Sequence, residues 1–289
     1  MKVLSLFDGC GMTYQALKNL NVKVDKYYAS EIDKYAIQIA KKNHPDLIEL
    51  GDVTSWRDWQ IEKPDLIVAG SPCQGFSFAG KQLNFNDKRS ALFFEFVNIL
   101  KHYKPKYFLL ENVKMKKEYQ DTISDILGVD QELINSSLVS AQNRKRIYWC
   151  NWELDQPEDR GIFLKDILQP FKNIDESFYH SQKAIDYMER GNEKWQQAGK
   201  RRADRYTQTR DKEKAFTLTA NFWKGVPYNY FKDDAIYRKL TPIECERLQT
   251  LPDNYTEGVS NSQRYRMLGN GFTVKVIEHI LKKIVDQTI

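Results

Sequence analysis

Leu66-Ile67-Val68-Ala69-Gly70-Ser71-Pro72-Cys73-Gln74-Gly75-Phe76-Ser77 is the stretch whose reading decides the fold. Its four leading apolar residues, entered from Pro64-Asp65 and stopped by Gly70, predict a buried parallel strand. Cys73 then falls just past the strand's carboxyl end, where open α/β sheets hold their ligands. Pro72 fixes its own φ and restricts Ser71, while Gly70 and Gly75 allow a tight bend and the close approach of a ligand. A lone cysteine also has a plainer reading as a small buried hydrophobe. The neighbouring strands separate the two.

Working back from that stretch, Val3-Leu4-Ser5-Leu6-Phe7 predicts a strand, Asp8-Gly9-Cys10-Gly11 a turn, and Ala16, Leu17 and Leu20 a helix. The amides of such a turn suit an acidic or polar ligand group. A second strand, near Val24 to Ala29, leads to Glu31, twenty residues past Gly11. Dinucleotide-type folds place an acid there, because a carboxylate accepts two hydrogen bonds from the vicinal hydroxyls of a ribose. A third strand, Leu47 to Leu50, precedes Gly51-Asp52-Val53. Gly9 and Gly11, Glu31, Asp52 and Cys73 thus each follow a strand and are expected along one edge of a parallel sheet. Taken singly, Asp52 reads equally as a turn or cap residue.

Working forward, Leu92-Phe93-Phe94 with Phe96, Val97 and Leu100 predicts a helix, and Lys106 to Leu110 a strand ending at Glu111-Asn112-Val113. Glu111 is either a solvated loop carboxylate or a proton donor facing the same crevice as Cys73. In Gln142-Asn143-Arg144-Lys145-Arg146 the arginines alternate, so an extended chain turns both guanidiniums to one face, although a solvated hairpin rim also fits.

With 289 residues and 41% hydrophobic content the chain has room for one large and one small domain. Its four cysteines, at positions 10, 73, 150 and 245, show neither metal-ligand spacing nor a disulfide framework, so a reducing compartment and no metal site are expected. The apolar run before Asp8 is too short for a signal peptide and no stretch approaches a membrane span, so the expected location is the cytoplasm. Net charge is only +5, but the window Lys194 to Lys214 alone carries eight Lys/Arg against three Asp/Glu. Such a concentration of cations points to a polyanion.

Phe7-Asp8-Gly9-Cys10-Gly11, Pro72-Cys73-Gln74, Glu111-Asn112-Val113, Gln142-x-Arg144-x-Arg146, Arg238-x-Leu240-Thr241-Pro242-x-Glu244-x-x-Arg247-Leu248-Gln249 and Gly269-Asn270-Gly271 stand in this order. In order and spacing the six motifs resemble those of the cytosine-C5 DNA methyltransferases of bacteria and phages. The resemblance spans nearly the whole chain except about residues 172 to 235. Met12 departs from it where a third glycine is common, and so does Gly271-Phe272 after the asparagine.

The resemblance implies an α/β fold with a Rossmann-like sheet, helices on both faces, and a smaller β-rich target-recognition domain. It divides the chain into residues 1–170 with 262–289 for catalysis and 171–261 for recognition, with double-stranded DNA between them. The implied reaction moves a methyl group from S-adenosyl-L-methionine to C5 of a flipped-out cytosine, leaving S-adenosyl-L-homocysteine. Cys73 would supply a thiolate to C6, Glu111 a proton or hydrogen bond at ring nitrogen 3, and Arg144 and Arg146 a grip on the base carbonyl or flanking phosphate. The implied cofactor residues are Phe7, Asp8, Gly9, Gly11, Glu31, Ile32, Asp52, Val53, Pro72, Leu92 and Asn270. Gln74, Ser77, Arg201, Arg202, Arg205, Arg210 and Thr217 are the expected DNA contacts, since Arg and Gln pair with base edges or phosphates. A monomer on DNA and a cognate restriction endonuclease complete the expectation. A cytosine-C5 RNA methyltransferase, a catalytically silent DNA-binding homologue and a nucleotide-binding dehydrogenase are the alternatives. The last has no need of Pro72-Cys73-Gln74 beside Glu111.

Thr241 is expected to cap a helix with Pro242 in its first turn and Glu244 closing a capping box. Val274, Ile277, Ile280, Leu281 and Ile284 give the last helix one apolar face, expected to cover the first domain.

Overall fold

In a computed structural model of the chain, residues 1–70, 88–198, 207–210 and 213–286 are described. The strands are β1 (Lys2–Leu6), β2 (Lys26–Ser30), β3 (Ile48–Glu49), β4 (Leu66–Gly70), β5 (Tyr107–Val113), β6 (Gln131–Asn135), β7 (Lys145–Cys150), β8 (Thr207–Thr209), β9 (Tyr230–Asp233) and β10 (Ile236–Arg238). The helices are α1 (Met12–Asn19), α2 (Lys34–Asn43), α3 (Lys88–Tyr103), α4 (Lys117–Leu127), α5 (Leu164–Ile167), α6 (Gln182–Gln197), α7 (Pro242–Leu248), α8 (Asn261–Asn270) and α9 (Val274–Asp286).

Two units divide the chain. The first comprises Met1–Asn135, Lys145–Pro157 and Val274–Ile289. Its sheet runs β3-β2-β1-β4-β5-β7-β6. All neighbours are parallel except β7, which is antiparallel to both β5 and β6. Strand order reverses between β1 and β4, the place where open α/β sheets hold their ligands. Leu66, Ile67, Val68 and Ala69 are all fully buried, which is why β4 reads as an unbroken apolar run rather than an alternating one. Ile67, Phe93, Phe96, Leu110 and Trp149 join one core spanning β4, α3, β5 and β7. Each such side chain contributes about 1.5–3 kcal/mol by leaving water. Asp33 caps α2, its carboxylate accepting from Tyr35 N at 2.9 Å. Val274, Ile277, Ile280, Leu281 and Ile284 are fully buried, as the apolar stripe predicts, and α9 packs against α1.

The second unit comprises Ser136–Arg144 and Glu158–Thr273. It holds the sheet β10-β9-β8, in which β9 runs antiparallel to β10 and parallel to β8. Helix α7 starts as expected: Thr241 accepts from Glu244 N, Glu244 reaches back to Thr241 N, and Pro242 fills the first turn. Glu244 also meets Arg238 in a fully buried, two-pronged ion pair with contacts of 2.7 and 2.8 Å.

This division differs from the boundaries expected from sequence, because residues 136–144, 158–170 and 262–273 group with the second unit. Hydrogen bonds explain the difference. Leu164 N donates to Glu213 O at 2.8 Å, Gln169 N to Glu244 Oε1 at 2.9 Å, and Tyr265 Oη to Leu240 O at 2.6 Å. Gln142 Nε2 donates to Leu248 O and to Gln249 Oε1.

Candidate active site

The first unit's carboxyl edge begins at the turn between β1 and α1. Phe7, Gly9 and Gly11 have φ of 57°, 64° and 82°, the left-handed region in which glycine bears no Cβ penalty and Phe7 does. Among the described residues, a Cβ built at Gly9 would meet nothing within 4 Å, so they leave the turn's surface open there. Phe7 packs partly against the core, and Asp8 is turned inward and buried.

Glu31, just beyond β2, ties this turn to the next loop. Its Oε2 accepts from Gly9 N at 2.9 Å, and its Oε1 from Ile32 N at 2.7 Å and Asp33 N at 2.9 Å. A carboxylate has about four acceptor positions, so roughly one remains for a ligand hydroxyl. The two-hydroxyl grip expected from sequence therefore requires one amide to yield. Ile32 is 75% exposed, an apolar side chain projecting at the sheet's edge.

Glu49 at the end of β3 was not foreseen from sequence, which pointed to Asp52 as the third acid of this edge. Glu49 Oε1 accepts from Glu31 N at 3.1 Å and Gly51 N at 3.0 Å, and burial raises its carboxyl above the usual range. An acid one residue before a strand-ending Leu-Gly was the available signal. Asp52 itself caps a short 3-10 turn, accepting from Thr54 N at 2.8 Å, and Val53 behind it is buried. Leu92 lies on α3, half-buried against the core.

Glu111 lies within β5 rather than beyond it. In the ladder it stands between Gly70 of β4 and Tyr148 of β7. The last residue of the strand leading to Pro72-Cys73-Gln74 is thus its direct neighbour. Arg146, on β7, places Nε 2.9 Å from Glu111 Oε1, with the two side chains 13% and 11% exposed.

The expectation that Arg144 and Arg146 present two guanidiniums to one anion is corrected. Arg144 belongs to the second unit, where it is buried and donates to the carbonyls of Leu218, Gly269 and Gly271 at 2.9, 3.2 and 2.7 Å. The extended-chain argument fails because these carbonyls claim one arginine while a carboxylate on β5 claims the next.

Asn270 is exposed as the last residue of α8. Arg210 pairs with Asp233 at 2.5 Å and keeps a side-chain exposure of 42%. The hydroxyl of Thr217 donates to Asn143 O. At Gly269 a Cβ would lie 2.2 Å from Thr219 C, so α8 and the Thr219-Ala220 backbone touch through its missing side chain. Pro72, Cys73, Gln74, Ser77, Arg201, Arg202 and Arg205 lie outside the described residues.

Comparison with known proteins shows the family of the chain. The family model described as C-5 cytosine-specific DNA methylase matches residues 1–183 and 152–286. The Type II methyltransferase M1.ScrFI of Lactococcus lactis subsp. cremoris is 33% identical over 99% of this chain and 78% of its own length. For the Type II methyltransferase M.NlaX of Neisseria lactamica the figures are 32%, 98% and 96%. Among solved structures, the Dnmt2 methyltransferase of S. pombe superposes with a TM-score of 0.78 at 20% identity, covering 100% of this chain and 99% of that one, and supports the Rossmann-like fold. On the family match and these identities, the chain belongs to the C-5 cytosine-specific DNA methylase family, as a DNA (cytosine-5-)-methyltransferase.

Proposed function

We propose that the chain transfers the methyl group of S-adenosyl-L-methionine to C5 of a cytosine flipped out of a specific duplex DNA sequence, through a covalent bond between Cys73 and C6. The observation that carries this reading is the pairing of Gly70 with Glu111 in the ladder. Three residues of chain span at most about 11 Å, which bounds the distance of residue 73 from Gly70, the ladder neighbour of that acid.

The carboxyl edge fits the cofactor. Glu31 has an acceptor position for a ribose hydroxyl, Ile32 an exposed apolar side chain for the adenine face, and Gly9 an open surface for the methionine end. Phe7, Gly11, Val53 and Leu92 would line the same edge, with Pro72 and Asp52 as further contacts. When bound, the cofactor supplies an electrophilic methyl group.

C5 of cytosine is a poor nucleophile while the ring is conjugated. Addition of the Cys73 thiolate to C6 forms a sulfur–carbon bond and pushes the ring's electron pair toward nitrogen 3, leaving C5 enamine-like. Glu111 meets the charge developing at nitrogen 3 by sharing a proton with it. A base carbonyl gives Arg146 an alternative acceptor as Glu111 turns to that task. After methylation, loss of the C5 proton and elimination of the thiolate restore the ring. Because a thiol must approach the ring face, the base leaves the stack at a cost of a few kcal/mol, offset by contacts to the extruded nucleotide. Arg201, Arg202, Arg205, Arg210, Gln74, Ser77 and Thr217 would supply phosphate and base contacts. The Type II designation of the relatives supports a partner restriction endonuclease, and action in the cytoplasm as a monomer on DNA is part of the same proposal.

Bisulfite sequencing of a plasmid treated with the protein and S-adenosylmethionine tests the reading. Protected cytosines in one short sequence context are expected. Protection of structured RNA with none of DNA would overturn it.

A further inference from the structure

Beneath the turn between β1 and α1 lies a buried acid that the reaction does not consume. Asp8 ties the turn to β2 twice: its amide donates to Ser30 O at 3.2 Å, and its Oδ1 accepts from Tyr27 Oη at 2.7 Å. Both side chains are shut off from water, Asp8 at 4% and Tyr27 at 1% exposure. Tyr27 is itself immobilised. Its ring stacks on Tyr14 of α1 with centroids 4.3 Å apart, and Tyr14 stacks on His44 at 4.6 Å while its hydroxyl bonds Asp46. The next residue after Asp8 is Gly9, whose amide reaches Glu31. One hydrogen bond therefore couples a rigid aromatic column to the turn and to the carboxylate that stands at the cofactor edge.

We propose that Asp8 and Tyr27 are positioning residues for the cofactor: their hydrogen bond holds the glycine turn and Glu31 in binding geometry, and a negative charge on Asp8, although it strengthens that bond, loosens the geometry by repelling Glu31 across Gly9. The inference rests on the reading of this edge as the S-adenosylmethionine site.

The groups facing Asp8 set the direction. Burial pushes its carboxyl up to about 7, the negative charges of Glu31 beyond β2 and Glu49 on β3 add to this, and the hydroxyls of Ser5 on β1 and Tyr27 on β2 oppose it. Oδ2 is buried without a hydrogen bond of ordinary geometry. Burial and the neighbouring Asp8 keep Tyr27 well above the tyrosine range, so it remains a donor, with Thr13 of α1 beside it. Tyr14 is likewise raised, and burial with Lys18 nearby holds His44 down at about 4, so His44 is neutral near neutral pH. Below pH 7 the turn thus rests on a neutral acid. Above it, a buried anion faces Glu31, and the two carboxylates that bracket Gly9 repel each other.

Calorimetric titration with S-adenosylhomocysteine tests this, because that probe lacks the sulfonium charge that a nearby anion would attract. Between pH 6 and pH 8 the wild-type affinity is expected to fall about tenfold, following the fraction of ionised Asp8. Asp8→Asn keeps an acceptor for Tyr27 and is expected to bind equally at both pH values. Tyr27→Phe is expected to bind about tenfold more weakly at pH 6, since it leaves a buried acid without its donor. If Tyr27→Phe does not fold, the comparison with Asp8→Asn decides. A pH dependence that persists in Asp8→Asn, or equal wild-type affinity at both pH values, overturns the proposal while leaving the cofactor site intact. Absence of wild-type binding at either pH overturns the cofactor site as well.

Discussion

Arg146 Nε and Glu111 Oε1 meet at 2.9 Å on adjacent strands, so the acid beside the strand that leads to Cys73 is held by a cation from β7. The pair is mostly buried, and each partner orients the other. Glu111→Gln is expected to lower methylation by about 10²–10⁴-fold, the usual worth of a positioned acid or base. Incorporation of labelled methyl groups into plasmid DNA reads this directly. An unchanged rate would leave Glu111 an architectural role.

Removal of the sulfur separates binding from chemistry. Cys73→Ala is expected to abolish methyl transfer while the affinity for S-adenosylhomocysteine stays within about twofold, because a thiol contributes nothing to holding the cofactor in the proposed arrangement. Retained turnover would remove Cys73 from the mechanism.

Packing at Gly269 admits no side chain. A Cβ would stand 2.2 Å from the backbone of Thr219, so Gly269→Ala must push the Thr219-Ala220 backbone from α8. The expected loss is about 1–3 kcal/mol, the cost of overpacking, read as a lowered denaturation midpoint. No loss would show that the loop relaxes without penalty.

Glu244 is the hub of the second unit. It joins the buried pair with Arg238, the α7 capping box and the amide of Gln169. Glu244→Ala strands a buried guanidinium, at an expected cost of about 3–5 kcal/mol. Thermal unfolding of that variant beside Arg238→Met Glu244→Leu tests the origin of the loss: the double variant should recover part of it if the unpaired charge is responsible.

Asp8 and His44 impose opposing pH slopes on stability. The folded protein holds the Asp8 proton up to about pH 7, against an ordinary value of 3.8, so this contribution is complete below about pH 4 and is lost as pH rises to 7. His44, held down at about 4 against 6.5, contributes stability above about pH 6.5 that is lost as pH falls to 4. Asp8→Asn removes the first slope alone. Its denaturation midpoint should therefore gain on the wild type steadily between pH 4 and pH 7, and parallel curves would show that Asp8 does not titrate there.

Local pattern made much of this molecule legible before any coordinates. The unbroken apolar run of β4, the glycine turn after β1 and the Thr241-Pro242-x-Glu244 helix start are written in short stretches, because strand burial, left-handed turns and capping depend on residues a few positions apart. The acids along the sheet edge were legible as strand-end positions too. Tertiary structure alone decided who holds them. Glu31 spends most of its acceptor positions on Gly9, Ile32 and Asp33, and Arg144 and Arg146, two residues apart, answer to different partners in different units. Glu49, Asp8 and Tyr27 acquire their roles the same way, through contacts between residues 18 and 19 positions apart. A sequence fixes which groups exist and the period on which they recur; hydrogen-bond acceptors and buried charges are satisfied in space, and only the folded chain brings the competing partners within reach.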